Sequence, residues 1–236
     1  MVMTALPGPD PVVRLVQTSQ IPIVFNAGLD PVRFGLVASF NRPGGNVTGV
    51  YTLTGAMMGK HLSLLRELVP NATTFAALGE TPPAGLDEAQ EELQKTAAAL
   101  GLQLRVLNAN SESEINAAFA SLEQRRSDAF LVISGPIMQV HAKLIAALAA
   151  RLAVPAVYPR REYAEAGGLM SYGYDIADGY REMGRYAGRI LKGEKPANLP
   201  VFQPTRFQFI INLKTARALG LTIPPTLLAI ADEVID

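Results

Sequence analysis

Cysteine and tryptophan are both absent from these 236 residues. Without cysteine there is no disulfide framework, no thiolate nucleophile and no cysteine-based metal site, so a metal could be held only by carboxylates or the two histidines. An excess of either charge is missing too, since 21 Lys+Arg balance 21 Asp+Glu. That leaves no basic field to hold nucleic acid and no acidic run to solvate a tail, and the expected ligand is small. No segment is apolar for long enough to cross a bilayer, and Met1 to Pro11 lacks the basic region and apolar stretch of an export signal. Neither a GxSxG nucleophile motif nor a GxxxxGK phosphate loop occurs. His61 and His141 fall on separate expected helices as helix-flank residues, and Glu88, Glu91 and Glu92 read as the solvated face of one amphipathic helix. No enzymatic role, metal or cofactor is therefore expected.

What is present is a chain 49% hydrophobic and 18% charged, enough to bury a sizeable core as one large domain or two small lobes. Ile21 to Phe25 is a β-branched run closed by Asn26, Gly28 and Asp30-Pro31, which predicts a buried strand. The turn formers NRPGGN at Asn41 to Asn46 lead into a second short strand, Val47 to Tyr51. Met58, Leu62, Leu65 and Val69 recur at helical spacing and stop at Pro70. The middle then alternates strand Phe75 to Leu78, helix Leu86 to Leu100, strand Leu102 to Leu107 and a helix opened by Ser111 and Glu114 at capping-box spacing. Strand Ala129 to Ile133 follows, then one helix carrying Ile137, Val140, Leu144, Leu148 and Leu152, then strand Val154 to Tyr158. Such alternation predicts an α/β fold with parallel sheets flanked by helices. Beyond it come a short helix at Glu162 to Ala166, a strand at Leu169 to Tyr174 and a helix from near Asp178 through Met183, Ala187 and Leu191 to Gly193. Val201 to Ile211 reads as extended, Lys214 to Leu219 as a last short helix, and the tail after Pro224-Pro225 ends polar.

Several of these stretches resemble a family of ABC-transporter substrate-binding proteins grouped with tryptophan-binding lipoproteins: IPIVF at Ile21, DPV at Asp30, LVASFNRPGGNVTGV at Leu36 and GGLMSYG at Gly167. The longest match is LPVFQPTRFQFIINLKTARALGLTIPPTLLAIADEVI, Leu199 to Ile235. The resemblance implies a type I periplasmic-binding-protein fold, two α/β lobes joined by three crossing strands with solute held between them. Laid on this chain, the crossings fall near Val50, at Ser171 to Gly173 and at Arg206 to Ile210. The lobes are then residues 1–50 plus 173–205, and 51–172 plus 206–236. In the family, further βαβα units and a signal or lipoprotein peptide precede IPIVF, whereas about twenty residues stand there in this sequence. The resemblance thus implies a first lobe lacking its front, with apolar surface on strand Ile21 to Phe25 and on the helix after Asp178 left open to self-association. The implied function is capture of a small solute, an amino acid among the candidates, and delivery to an ABC permease outside the cytoplasmic membrane. The alternatives are a sensory module or a remnant that binds nothing.

On that plan the cleft is lined by loops at the carboxyl ends of strands. The first lobe offers Asn26 and Asp30, which serve equally as turn caps. The second offers Glu80, Ser134 and the Tyr158 to Arg161 loop, where Arg160 or Arg161 could take a carboxylate in paired hydrogen bonds or simply be solvated. Relatives often carry a proline-aspartate-proline turn where this chain has Ser134-Gly135-Pro136, so an acidic contact is missing there. Tyr172, Tyr174 and Asp175 sit at the second crossing, where two aromatic rings beside a carboxylate suit an amino-acid-like solute. Hinge packing and capping of the next helix by Asp175 or Asp178 are the other reading.

Overall fold

The computed structural model of this chain describes residues 2–5, 20–28, 30–82 and 88–236. The chain folds into two compact units: unit 1 is Met1–Gly55 with Tyr174–Arg206, and unit 2 is Ala56–Gly173 with Phe207–Asp236. The chain therefore passes from one unit to the other three times.

Unit 2 is built on the central run of strands β4 (Thr74–Gly79), β5 (Gln103–Asn108), β6 (Ala129–Val132), β7 (Ala156–Tyr158) and β8 (Met170–Tyr174), with β9 (Phe207–Asn212) and β10 (Glu233–Ile235) added at one side. The sheet order is β10-β9-β8-β7-β6-β4-β5. Strands β4 to β8 pair in parallel. Asn212 at the end of β9 donates to the carbonyl of Leu169 at the start of β8, so β9 and its parallel partner β10 run against the other five. Side chains on a strand alternate between faces, and the two hydrophobic clusters follow that alternation. Phe75, Ala77, Ala129 and Leu131 enter the layer beneath α1 (Thr54–Leu68) and α2 (Glu88–Ala99). Ala76, Leu78, Phe130 and Val132 enter the other, beneath α3 (Glu112–Gln124), α4 (Pro136–Val140), α5 (Ala142–Arg151) and α6 (Arg161–Glu165). Ser111 caps α3 by accepting from Glu114 N, but the Glu114 carboxylate reaches back to Asn110 N, one residue before the expected donor.

Three expectations for unit 2 need correction. The single helix expected from Ile137 to Leu152 is two, because His141 (φ −98°, ψ 19°) leaves helical geometry between α4 and α5. The break turns Val140, an expected core position, out to 79% exposure and buries Met138 instead. The tail is not merely polar: after α8 (Leu213–Ala218) it forms α9 (Pro225–Ile230) and then β10, which gains its hydrogen bonds only by pairing with β9. The start of α2 expected at Leu86 lies outside the described residues, as do most of Met1 to Pro11.

Unit 1 contains a three-stranded parallel sheet, β1 (Val2–Ala5), β2 (Ile23–Ala27) and β3 (Val47–Tyr51), in that order. Ile23, Phe25, Ala27, Val47 and Tyr51 face a cluster with Val37 and Val201. Val24 and Val50 face the other way, against Met183, Tyr186 and Ile190 of α7 (Ile176–Leu191). Gly49 is fixed by close approach: a Cβ there would lie 2.1 Å from the Phe25 carbonyl oxygen. The expected extended segment from Val201 is a strand only from Phe207, preceded by one parallel bridge between Val50 and Phe202. β2 does not present the open apolar surface anticipated for it, since Ile23, Val24 and Phe25 are at most 1% exposed between β1 and β3. On α7, by contrast, Tyr180 and Leu191 are 51% and 75% exposed.

Candidate functional site

In unit 1 the carboxyl end of β2 presents Asn26, half-buried on the strand. Asp30 beyond it is engaged as a turn cap: Oδ1 accepts from Val32 N at 2.9 Å and from Arg33 N at 3.2 Å. Burial first, and then the Asp30 charge, pushes the Tyr51 hydroxyl above its ordinary value.

Tyr174 and Asp175 follow the second passage between units, and Asp175 starts α7. Its Oδ1 accepts from Ala177 N at 2.8 Å, satisfying one of the free donors of the first helical turn, so α7 begins earlier than Asp178. Its Oδ2 is left with a distant contact, 3.9 Å to Nη1 of Arg181. Tyr174 lies along the same turn, where a Cβ on Gly179 would come within 3.5 Å of its ring. Both residues line a cavity of about 390 Å³, together with Arg181, Phe202, Thr205 and Arg206. These come from two short stretches, the start of α7 and the segment that ends at the third passage, so the groove belongs wholly to unit 1. Arg181 is paired with Asp178 at 2.5 Å and Arg185, also in the wall, with Glu182 at 2.9 Å.

In unit 2 the remaining candidates are dispersed by their partners. The Glu80 carboxylate accepts from Ile137 N at 2.5 Å and lies against Gly135, where a Cβ would come 2.5 Å from its Oε1. Ser134 is next to this contact and exposed. Tyr158 is in the core, stacked on Tyr163 with ring centroids 4.8 Å apart, and burial drives its hydroxyl far above the ordinary value. Arg161 forms a fork on Glu233 (2.6 and 2.8 Å) and a third bond to Glu165 (2.5 Å), which ties α6 to β10. Arg160 leans on Glu162 at 3.4 Å. Tyr172 is half-buried, stacked on Phe207 at 5.8 Å, with its ring edge-on to His61.

His61 is itself a correction, being 1% exposed rather than a helix-flank residue. Its position three residues after Met58 puts it on the apolar face of α1, a signal that helical spacing does contain. Nε2 lies 2.7 Å from the Tyr172 carbonyl. A carbonyl can only accept, so Nε2 carries the proton and Nδ1, which has no partner, keeps its lone pair. Desolvation lowers the pKa of the ring from 6.5 to about 4, outweighing the opposite effect of the Tyr172 hydrogen bond. Arg206, expected only as the start of the third crossing, and Phe202 also line the groove, and nothing local in the sequence links them to α7.

Two further cavities, of about 390 and 400 Å³, open beside Asp128 at the amino ends of β4 and β6. There the backbone N–H groups of Thr73 and Thr74, with the Thr74 hydroxyl, hold the Asp128 carboxyl below its ordinary value. This is the end of the sheet opposite to the loops that normally carry ligands. Among the described residues, no group of three or more metal-ligating side chains is placed to hold an ion.

A family model described as ABC transporter substrate binding protein matches residues 10–235. A curated tyrosine-binding protein of Clostridioides difficile (strain R20291) is 26% identical over 204 residues, 86% of this chain. The chain spans only 58% of that relative's length. Among solved structures, an ABC domain in complex with L-Trp from Streptococcus pneumonia is 27% identical with a TM-score of 0.82, over 100% of this chain and 80% of that one. A conserved domain protein from Vibrio cholerae is 25% identical with a TM-score of 0.83, over 98% of this chain and 77% of that one. Both neighbours share the mixed α/β architecture with its mostly parallel sheet flanked by helices.

Proposed function

This chain belongs to the ABC transporter substrate-binding protein family, and from that premise we propose that it captures a free amino acid reversibly and delivers it to a membrane permease. The observation that carries the reading is the family match across residues 10–235, joined to relatives named for tyrosine and for L-Trp. The two compact units, linked by three passages of chain, are the two lobes in this reading. In this reading Asn26, Tyr174 and Asp175 are the candidates of unit 1, and Ser134, which is exposed, is the candidate of unit 2. Tyr158 and Arg161 serve structure in this reading, since one is stacked in the core and the other is committed to Glu233 and Glu165. Binding is the whole chemistry, with no bond in the solute made or broken. The site of action is outside the cytoplasmic membrane, and no helix among the described residues is long and apolar enough to cross one.

A thermal-shift series with single amino acids, small organic acids and nucleosides tests this. A ligand at a hundred times its Kd stabilises the folded state by about 2.7 kcal/mol, so one amino acid should give a saturable rise in Tm. A flat response to every amino acid would overturn the amino-acid reading, and a flat response to the whole series would overturn solute capture. Self-association is a further part of the proposal and rests on α7, where Tyr180 and Leu191 lie about three turns apart on one side of the helix.

A further inference from the structure

The groove of unit 1 combines two aromatic rings with charges of both signs, and its charged groups are not equally engaged. Arg181 and Arg185 each hold a carboxylate of their own helix. Arg206 is exposed in the groove wall and forms no ion pair among the described residues. On the acidic side, Asp178 and Glu182 are the carboxylates taken by those two arginines, while Asp175 Oδ2 has, among the described residues, only the 3.9 Å contact with Arg181. Among the described residues, Arg206 is thus a groove cation without an ion pair, and Asp175 is the groove carboxylate with no cation closer than 3.9 Å, whereas Asp178 and Glu182 each hold an arginine through one oxygen. A zwitterion answers both charges at once, and an apolar side chain suits the Tyr174 and Phe202 rings that line the same groove. A simple anion would leave Asp175 unanswered, and a simple cation would leave Arg206 so. The cavity, about 390 Å³, is of a size that holds a single small molecule.

We propose that this groove recognises the two charged ends of a free amino acid, Arg206 taking the carboxylate in paired hydrogen bonds and Asp175 Oδ2 taking the ammonium. The assignment rests on the amino-acid reading above and deepens it by naming which side chains of unit 1 make the recognition. Tyr174 and Phe202 then flank the side chain and favour an aromatic one, since flat rings meet in offset or edge-on contact. Asp175 keeps its capping bond throughout, because that bond uses its other oxygen.

Isothermal titration of the whole chain with each proteinogenic L-amino acid in turn identifies the tightest binder. The same titration is then repeated on Arg206→Gln and Asp175→Asn, and with the amide and the N-acetyl derivative of that amino acid. Both substitutions should weaken binding by about tenfold or more, the effect of removing a charge-assisted hydrogen bond. The wild type should prefer the acid over its amide and Arg206→Gln should not; Asp175→Asn should likewise lose the discrimination against the N-acetyl derivative. Asparagine caps a helix as well as aspartate does, so an unchanged Tm shows that Asp175→Asn is folded. Should one substitution unfold the protein, the derivative series on the other still decides. Wild-type affinity in both variants overturns the groove and leaves amino-acid capture standing, whereas no binding of any amino acid by the wild type overturns both.

Discussion

Among single residues, His61 makes stability depend on pH. Its folded pKa of about 4 lies below the ordinary 6.5, so between those values the unfolded chain holds a proton that the folded chain does not. Stability is therefore fully present above pH 6.5 and falls as pH drops toward 4. Below that the contribution is flat. At about 1.4 kcal/mol per pH unit, the loss amounts to about 3 kcal/mol. Urea unfolding followed across this range should show the decline in the wild type, and His61→Phe should remove most of it. That variant should also be less stable by about 1–3 kcal/mol at neutral pH, since the Tyr172 carbonyl loses its donor. The burial of His61 was readable from its place on the apolar stripe of α1; its partner was not, because Tyr172 is far along the chain. Tyr174 and Asp175 could be picked out as neighbours of a crossing. Arg206 stood at the third crossing, but that it faces the start of α7 became visible only once the groove was assembled.

Elements depend on contacts that a sequence shows unevenly. β2, β4 and β6 were legible as β-branched or apolar runs between turn formers, and each is buried on both faces as such runs require. β1 and β10 were not, since four and three residues are too few to show a period and both owe their hydrogen bonds to a neighbour. The close approach of β2 and β3 leads to a sharp expectation: Gly49→Ala forces a methyl group into the Phe25 carbonyl and should cost about 3 kcal/mol or more. Hydrogen exchange should then lose protection first in β2 and β3. The fork from Arg161 to Glu233 is half-exposed, so its net value is small, about 1 kcal/mol. Arg161→Met should leave Tm nearly unchanged yet speed exchange at β10, and no change there would show that pairing with β9 alone holds the strand.

For the molecule as a whole, each unit has its own hydrophobic clusters, and the large exposed apolar side chains include Tyr180 and Leu191 on α7 and Leu228, Ile230 and Val234 near the carboxyl end. Sedimentation velocity at rising concentration should reveal reversible association in the wild type that Leu191→Glu abolishes; identical sedimentation of the two proteins would remove α7 as the contact. The sequence by itself determined the α/β class and most of the central strands, because burial periodicity and turn chemistry are local properties of a chain; the family came from the likeness of whole stretches such as Leu199 to Ile235. Tertiary structure alone decided that β2 is covered, that His61 meets the Tyr172 carbonyl, that the tail adds a strand, and which charges of the unit 1 groove already have partners. Each of these depends on which distant segment lies alongside, and pairing between segments far apart leaves no period in the sequence.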